Sequence, residues 1–378
     1  MRFFKKVLPN LALLALGCLL ALLVLEALLR VFNPFHFRVR LEKIELLTNI
    51  KFKTENHDLK KLDRIIRHSK NSLGFRGAPP PRDFDRWLTI ITVGGSTTEC
   101  FYLSDGQTWT DILGRELQQD FTRVWINNAG LDGHSTFGHL QLLQDYILKL
   151  KPKCLLFLVG INDLGRDDLT AYDVGGEGLD IIKPRPRALN ILANHSAFFS
   201  LVLNLSRYLE GYNRGLVHRQ VDPEKLEKLD HLEAGYAAGI KRQHQEKYLR
   251  PYAGRLAELV RRCRANHIEP VLLTQPALYG QAVDPTTGVN LGTIEVGSSN
   301  GKLAWELLEL YNDVTRQLGQ RQDLPVIDLA RQLPKDSLYF YDFFHFTTEG
   351  AARVAGIICR DLSPFLAEKF PEYVAVKK

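Results

Sequence analysis

A serine in the first third of the chain and an aspartate–histidine pair near its end are the residues best suited to chemistry. Ser96 follows Gly94 and Gly95, and two glycines allow a tight turn that lifts a hydroxyl into the open. Asp342 and His345 are three residues apart, so the carboxylate can hold the imidazole while the second ring nitrogen faces a nucleophile. Acyl transfer through a serine requires these residue types.

Each pattern also has a simpler interpretation. The glycines can form an ordinary turn in which Ser96 caps a helix, and a phosphate-binding loop would need a Gly-Lys-Ser/Thr that does not follow here. Asp342 and His345 can form a purely structural hydrogen-bonded pair. They could also bind a metal ion, although no third ligand with a suitable spacing is evident in the sequence.

Two further segments contain groups that could stabilise an oxyanion. Residues 127–135 (NNAGLDGHS) include flexible glycines that can direct a backbone N–H into a site. Residues 160–163 (GIND) include Asn162, whose side-chain amide is a suitable donor. An ordinary turn explains each segment by itself. Together with Ser96 and the Asp–His pair, they supply the nucleophile, base, orienting group and oxyanion donors of acyl transfer.

These segments need a scaffold that brings distant parts of the chain together. Short apolar runs with little alternation are typical of parallel strands buried on both faces, and they predict strands at 88–93, 124–127, 154–159, 270–274 and 325–328. Helical patterns lie between and after them, at 109–118, 137–150, 248–266, 300–318 and 348–366. The predicted fold class is α/β, a three-layer α/β/α sandwich with a five-stranded parallel sheet. Ligands of such sheets bind beyond the carboxyl ends of the strands, where the chemistry-bearing segments begin.

Four short motifs, in matching order along the chain, resemble those of the SGNH/GDSL hydrolase family. They are Gly95-Ser96, residues 128–133 (NAGLDG), residues 160–163 (GIND) and residues 342–345 (DFFH). The resemblance covers residues 88–368 apart from an insertion, and it is to a membrane-anchored, bacterial-type member. It implies a flavodoxin-like sheet and a serine esterase or acyl-transfer site.

The resemblance also assigns roles to individual residues. It implies that Ser96 is the nucleophile, His345 the base and Asp342 its partner. The oxyanion hole would consist of the Ser96 backbone N–H with Gly133 and Asn162.

Two details of the motifs qualify this assignment. Gly130 is an alternative to Gly133 as the oxyanion donor. In the first motif Gly95 stands where Asp is usual in the family, and Thr97 replaces Leu. This departure concerns the substrate class more than the fold.

The N-terminal segment predicts a membrane anchor. Residues 11–29 form a 19-residue apolar run whose only charge is Glu26, close to the roughly 20 residues that span a bilayer. Arg2, Lys5 and Lys6 precede it, as in a signal anchor. We expect a single-pass membrane protein with its N-terminus inside and its catalytic domain outside the cytoplasm, either periplasmic or extracellular.

The sequence divides into four parts on this interpretation. Residues 1–32 form the cytoplasmic tail and anchor, and the polar residues 33–87 form a juxtamembrane stalk or wrapping segment. Residues 88–368 form the hydrolase domain, interrupted by an insertion at about 165–247 where one helix would suffice between strands. The insertion could be a lid, a partner surface, a membrane contact or additional structural helices. Residues 369–378 form a C-terminal tail.

Composition excludes several classes. The chain has 378 residues, 45% hydrophobic and 24% charged, which excludes a disordered protein. A net charge of +6 is too small to indicate a nucleic-acid partner. The five cysteines show no C-x-x-C spacing, so neither a zinc nor a redox site is expected. We expect no metal and no cofactor; protein partners are not indicated.

Three functions are compatible with these patterns. The first is a membrane-anchored serine esterase acting on carboxylic esters, such as O-acetylated glycans or lipids. The second is an O-acyltransferase of envelope polysaccharide that uses the same residues and passes the acyl group to a sugar hydroxyl. The third is a non-catalytic, membrane-tethered binding or assembly protein, which would have no need for all of these residues together.

Overall fold

The computed structural model describes residues 2–32, 39–40, 43–44, 46–167, 196–202, 205 and 218–376. Much of the predicted insertion, at 168–195 and 206–217, lies outside the described residues. The chain forms two compact units. One comprises Met1–Glu45 and Val174–Leu216, and the other comprises Leu46–Asp173 and Val217–Lys378.

The first unit contains a long apolar helix, α1 (Arg2–Val31). Its stretch Asn10–Val31 is 22 residues long and, among the described residues, is the one helix long and apolar enough to cross a membrane. Most of its leucines are exposed because apolar residues occupy every side of the helix rather than one stripe. Two short antiparallel strands follow, β1 (Val39–Arg40) and β2 (Lys43–Ile44).

The second unit is built on a five-stranded parallel sheet. The unit begins with an antiparallel hairpin of β3 (Ile50–Glu55) and β4 (Ile65–Lys70). The strands of the parallel sheet are β5 (Leu88–Gly94), β6 (Val124–Asn128), β7 (Cys154–Leu158), β8 (Glu269–Leu273) and β11 (Val326–Ile327). A separate short antiparallel pair, β9 (Glu295–Val296) and β10 (Ser299–Asn300), lies between β8 and β11 in the chain. The sheet order is β11-β8-β7-β5-β6, with every pair parallel. This confirms the predicted α/β class, and the first strand of the sheet lies between the second and third, as in flavodoxin-like folds. Every residue of β5 and β7 is buried, which explains their unbroken apolar sequences.

Helices cover both faces of the sheet. They are α2 (Ser96–Glu99), α3 (Trp109–Asp120), α4 (Thr136–Leu142), α5 (Leu148–Leu150), α6 (Ala234–Gln243), α7 (Leu249–Ala265), α8 (Gly301–Gln322), α9 (Leu329–Gln332) and α10 (Thr348–Lys369). A π-helical turn, Leu143–Ile147, joins α4 and α5 into the single helix that the sequence predicted. The helix α3 packs against α10 on one side of the sheet, and α7 packs against α4 and α8 on the other. The sandwich therefore has the three predicted layers.

Local sequence fixes where these helices begin. Thr108 and Asp111 form a reciprocal capping box at the start of α3, and Thr347 caps α10 by accepting the N–H of Gly350. Asn300 caps α8 in a similar way through the N–H of Leu303. The start of α10 matters for the site because it sets the end of the loop that carries Asp342 and His345.

Residues 46–87, which the sequence assigned to a stalk or wrapping segment, belong to the same compact unit as the sheet. The hairpin β3–β4 in this segment was not predicted. Arg76 is 1% exposed, and its guanidinium donates hydrogen bonds to the carbonyls of Glu99, Cys100 and Leu103 and to Asp105 Oδ1. The arginine therefore holds the chain that leaves α2.

We expect Arg76→Met to destabilise the protein strongly. The substitution removes the charged donor of three hydrogen bonds to buried carbonyls, which should lower the free energy of unfolding by about 3 kcal/mol. Arg82→Met, at an exposed position of the same segment, is the control and should change stability little. Denaturant titration followed by circular dichroism measures both; equal stability of the two variants would contradict the role of Arg76.

Candidate active site

Ser96 lies at the turn between β5 and α2. Gly95 is the N-cap of α2, and Ser96 is the first helical residue, 6% exposed. A Cβ at Gly94 would lie 2.5 Å from the Leu158 carbonyl oxygen and would overlap Thr98, so only glycine fits there. The two glycines therefore let the chain turn sharply between the central strand and the helix, as the sequence predicted.

The structure brings His345 and Asp342 to Ser96. His345 Nε2 lies 2.7 Å from Ser96 Oγ, and His345 Nδ1 lies 2.6 Å from Asp342 Oδ2. Asp342 Oδ1 accepts the backbone N–H groups of Phe344 and His345, at 3.0 and 2.8 Å. The three side chains form one hydrogen-bonded chain, and all three are buried.

Electrostatics favour a charged Asp342. Burial alone would raise its pKa, but the His345 side chain and the two backbone N–H groups outweigh that effect, so its pKa lies below the ordinary value. A carboxylate can only accept a hydrogen bond, so Nδ1 of a neutral His345 carries the proton and Nε2 is left as an acceptor for the Ser96 hydroxyl.

Asn162 and the loop after β6 converge beside Ser96. Asn162 Nδ2 donates to the His134 carbonyl at 3.0 Å, which links the short helical turn Ile161–Asp163 to the residue after Gly133. A Cβ at Gly95 would overlap the same Nδ2 atom, so the amide lies directly against the residue before Ser96. Gly133 has a φ of 73°, which favours glycine.

The backbone donors of this region differ in availability. The Gly130 N–H already donates to Asn128 Oδ1 at 2.8 Å. Within the described part of the chain, no acceptor is found for the N–H of Gly133 or for that of Ser96, which begins a helix. Of these three N–H groups, that of Gly130 is therefore the one already occupied within the described part of the chain.

A buried ion pair supports the Asn162 turn. Asp163 accepts the N–H of Thr136 at 3.2 Å and its hydroxyl at 2.5 Å, and Arg255 donates to the same carboxylate at 3.2 Å. Asp163 is fully buried, so this network is well shielded from water. The network connects the segment that follows β7 to the start of α4, and Asn162 lies next to Asp163 in that segment.

Glu99, which no motif in the sequence marks, connects the helix that begins at Ser96 to the loop that contains Gly133. It lies one helical turn after Ser96, and its carboxylate accepts the N–H of Asp132 at 2.5 Å, next to Gly133. Lys70 of β4 lies 3.4 Å from the other carboxylate oxygen. The signal in the sequence is an acidic residue three positions after Ser96, which in a helix lies one turn away from it.

His218 is a second residue that the sequence did not reveal. Its ring centroid lies 4.1 Å from that of His345, its Nδ1 is 2.7 Å from the Tyr341 hydroxyl, and its Nε2 is 3.6 Å from Asp132 Oδ2. Burial alone would lower its pKa, but Asp132 and more distant carboxylates raise the pKa above the ordinary histidine value. No local pattern marks a histidine whose partners lie in two other loops.

Three of these residues could in principle coordinate a metal ion. His218, Asp342 and His345 bring potential ligand atoms within 4.8 Å of one another. Hydrogen bonds use both ring nitrogens of His345, both carboxylate oxygens of Asp342 and Nδ1 of His218. The expectation that the protein has no metal and no cofactor stays a prediction.

A comparison with protein families gives an extended match. The family model described as the GDSL-like lipase/acylhydrolase family matches residues 92–353. No curated protein matches the chain significantly.

Solved structures show a more distant likeness. The acetylxylan esterase Axe2 from Geobacillus stearothermophilus is 13% identical, covers 72% of this chain and 93% of its own, and has a TM-score of 0.40. A lipase/acylhydrolase from Enterococcus faecalis is 15% identical, covers 73% of this chain and 96% of its own, and also has a TM-score of 0.40. At such low similarity, the strand order of the sheet is the stronger basis for the fold.

The contact between Gly95 and Asn162 gives a first prediction. Gly95→Ala adds a Cβ that must displace the Asn162 amide, and the expected result is a fall in kcat for a short acyl ester of about 10- to 100-fold with a smaller change in KM. Gly254→Ala is the control, because open space surrounds that helical glycine. An unchanged kcat in Gly95→Ala would contradict the close packing of Asn162 against the turn.

His218 gives a prediction about stability and pH. Charged or titratable groups face it from three loops: Asp132; Tyr341, Asp342 and His345; and Tyr102 with Glu99. Because its pKa is raised in the folded state, its stabilising contribution is fully present below the unfolded-state value of about 6.5 and is lost as the pH rises through the folded-state pKa.

The free energy of unfolding of the wild type should therefore exceed that of His218→Gln most in acid. The difference should shrink as the pH is raised from about 5 to about 8. Denaturant titrations across this range measure it, with His267→Gln as a control at a histidine outside the site. A difference that grows with pH would contradict the assignment.

Proposed function

The chain belongs to the GDSL-like lipase/acylhydrolase family, a class of carboxylic-ester hydrolases, and from this premise we propose that it is a membrane-anchored serine esterase with Ser96, His345 and Asp342 as its catalytic triad. The observation that carries the proposal is the continuous hydrogen-bonded chain from Ser96 Oγ through both ring nitrogens of His345 to Asp342. Those contacts match the requirements of nucleophile, general base and orienting group.

In the proposed mechanism the Ser96 hydroxyl attacks the ester carbonyl carbon while His345 Nε2 takes its proton. Asp342 keeps the proton of the resting imidazole on Nδ1 and stabilises the imidazolium that forms. His345 then gives the proton to the alkoxide as the ester bond breaks. The alkoxide departs as an alcohol, and the acyl group remains bound to Ser96. Water, activated by the same imidazole, releases the acyl group as a carboxylic acid.

The oxyanion would be stabilised by the N–H groups of Ser96 and Gly133 and by the Asn162 side-chain amide. The support is the convergence of Asn162 and the residues around Gly133 on the Gly95–Ser96 turn. Gly130 is the weaker candidate because its N–H is already bound to Asn128. A single such donor typically contributes about 3 kcal/mol to the transition state.

The proposed location is the membrane, with the catalytic residues outside the cytoplasm. The apolar helix Asn10–Val31 supports the anchor by its length and composition. The N-terminus is placed inside the cell because short basic N-terminal tails usually stay in the cytoplasm. This location suggests acylated glycans or lipids as substrates. Transfer of the acyl group to a sugar hydroxyl would appear as reduced hydrolysis and an acylated product when an oligosaccharide acceptor is added.

Removal of the nucleophile tests the proposal. Ser96→Ala should lower kcat/KM for a p-nitrophenyl acetate substrate by at least about 10³-fold, since the proposed acyl-enzyme forms on the Ser96 hydroxyl. Ser363→Ala, on α10, removes a hydroxyl hydrogen-bonded to its own helix and serves as the control with activity retained. Full activity in a folded Ser96→Ala protein would refute the triad and favour a non-catalytic role for these residues.

A further inference from the structure

Glu26 is a charged residue inside the apolar helix α1, and its hydrogen bonds lead to a distant part of the chain. Its carboxylate accepts the Ser196 hydroxyl at 2.8 Å and the backbone N–H groups of Ala197 and Phe198, both at 2.9 Å. Arg30, one turn further along α1, donates to the same carboxylate at 2.6 Å. An ionisable residue in a membrane helix is costly and is kept only where it has such partners.

These contacts have the chemistry of a helix cap supplied by another helix. Residues 197–202 are helical, and the first N–H groups of a helix have no acceptor within it. Glu26 accepts two of them, and its negative charge lies at the positive end of the helix dipole. The cap therefore joins the start of this short helix to α1 within the first compact unit.

The position of Glu26 along α1 sets the depth at which the start of the short helix contacts α1. It lies five residues before Val31, where α1 ends, which at 1.5 Å per residue is about 7.5 Å from that end. The Asn10–Val31 stretch spans about 33 Å at the same rise, slightly more than the hydrocarbon core of a bilayer. The short helix thus begins below the end of the apolar stretch rather than beyond it.

The outward face of the short helix is apolar. Phe199 and Val202 are three residues apart in this helix, so they share a face, and they are 39% and 47% exposed. Leu205, further along the chain, is 49% exposed. The sequence of residues 196–205, SAFFSLVLNL, contains no charge. Exposed leucines of α1 lie in the same unit. Acyl chains of lipids are the partner that suits an uncharged face held at this depth.

We propose that residues 196–202 form a second membrane-embedded element, inserted into one leaflet and held against the anchor by Glu26. Seven residues are too few to cross a bilayer, so the segment enters and does not span it. The proposal rests on α1 being a membrane anchor, as the proposed function has it. It gives part of the predicted insertion a defined partner, the acyl chains of phospholipids.

Site-specific fluorescence on the full chain in phosphatidylcholine vesicles tests the depth. In a Cys18→Ala/Cys359→Ser background, Phe199→Cys carries the environment-sensitive dye NBD. Native Cys18, in the middle of α1, is the reference for an embedded position in Cys359→Ser protein. Val283→Cys, 60% exposed in the second unit, is the reference for an aqueous position. Quenching is measured with spin-labelled acyl chains and with aqueous iodide.

The proposal predicts that the dye at residue 199 behaves like the dye at Cys18. Lipid-borne quenchers should reach it, and iodide should quench it at least about threefold less than at Val283→Cys. Aqueous behaviour at 199 with embedded behaviour at Cys18 would overturn this inference and leave the anchor intact. Aqueous behaviour at both positions would overturn the anchor as well.

A second variant tests the role of Glu26. Glu26→Leu removes every acceptor of the cap, so iodide quenching at residue 199 should rise about threefold. Leu22→Ala, one turn earlier on α1, changes the anchor without touching the cap and should leave the quenching unchanged. Equal protection in Glu26→Leu and Leu22→Ala would show that Glu26 does not hold the segment.

Discussion

The hydrogen bond between His345 Nε2 and Ser96 Oγ joins residues 249 positions apart, and the second unit is arranged so that it can form. The buried central strand β5 positions Ser96, which follows a turn in which Gly94 has no space for a side chain. The loop before α10 delivers His345, and two backbone N–H groups of that loop hold Asp342 in place. Because parallel strands end at one edge of the sheet, the β5 turn, the Asn162 turn and the loop after β6 reach the same place.

Sequence alone predicts the parts whose signal is local. The five strands appear as apolar runs because both faces of the sheet are covered, and the helices between and after them appear as helical patterns in the sequence. The hairpin β3–β4 gives no such signal, since most residues of β3 are exposed and its sequence IKFKTE reads as polar chain. The roles of Arg76 and His218 cannot be predicted from the sequence for another reason, because only the tertiary fold places their hydrogen-bond partners beside them.

Two oddities of the sequence acquire a physical explanation. Gly95 stands where Asp is usual in the SGNH/GDSL family. In this structure the Asn162 amide occupies the space that a Cβ at residue 95 would need. Glu26 is the one charge in the apolar run, and it accepts two N–H groups, a hydroxyl and a guanidinium. In both cases a residue that breaks a local rule makes a specific long-range contact, which is where such exceptions are expected.

In the proposed mechanism Ser96 is a nucleophile that His345 activates. Reaction of the full chain with a fluorophosphonate, followed by peptide mass spectrometry, tests it most directly, because the reagent modifies a serine only where a neighbouring base makes it nucleophilic. Activation of Ser96 by His345 predicts a single adduct on Ser96 that is lost in His345→Ala. An adduct on another residue, or none on Ser96 in folded wild-type protein, would contradict it.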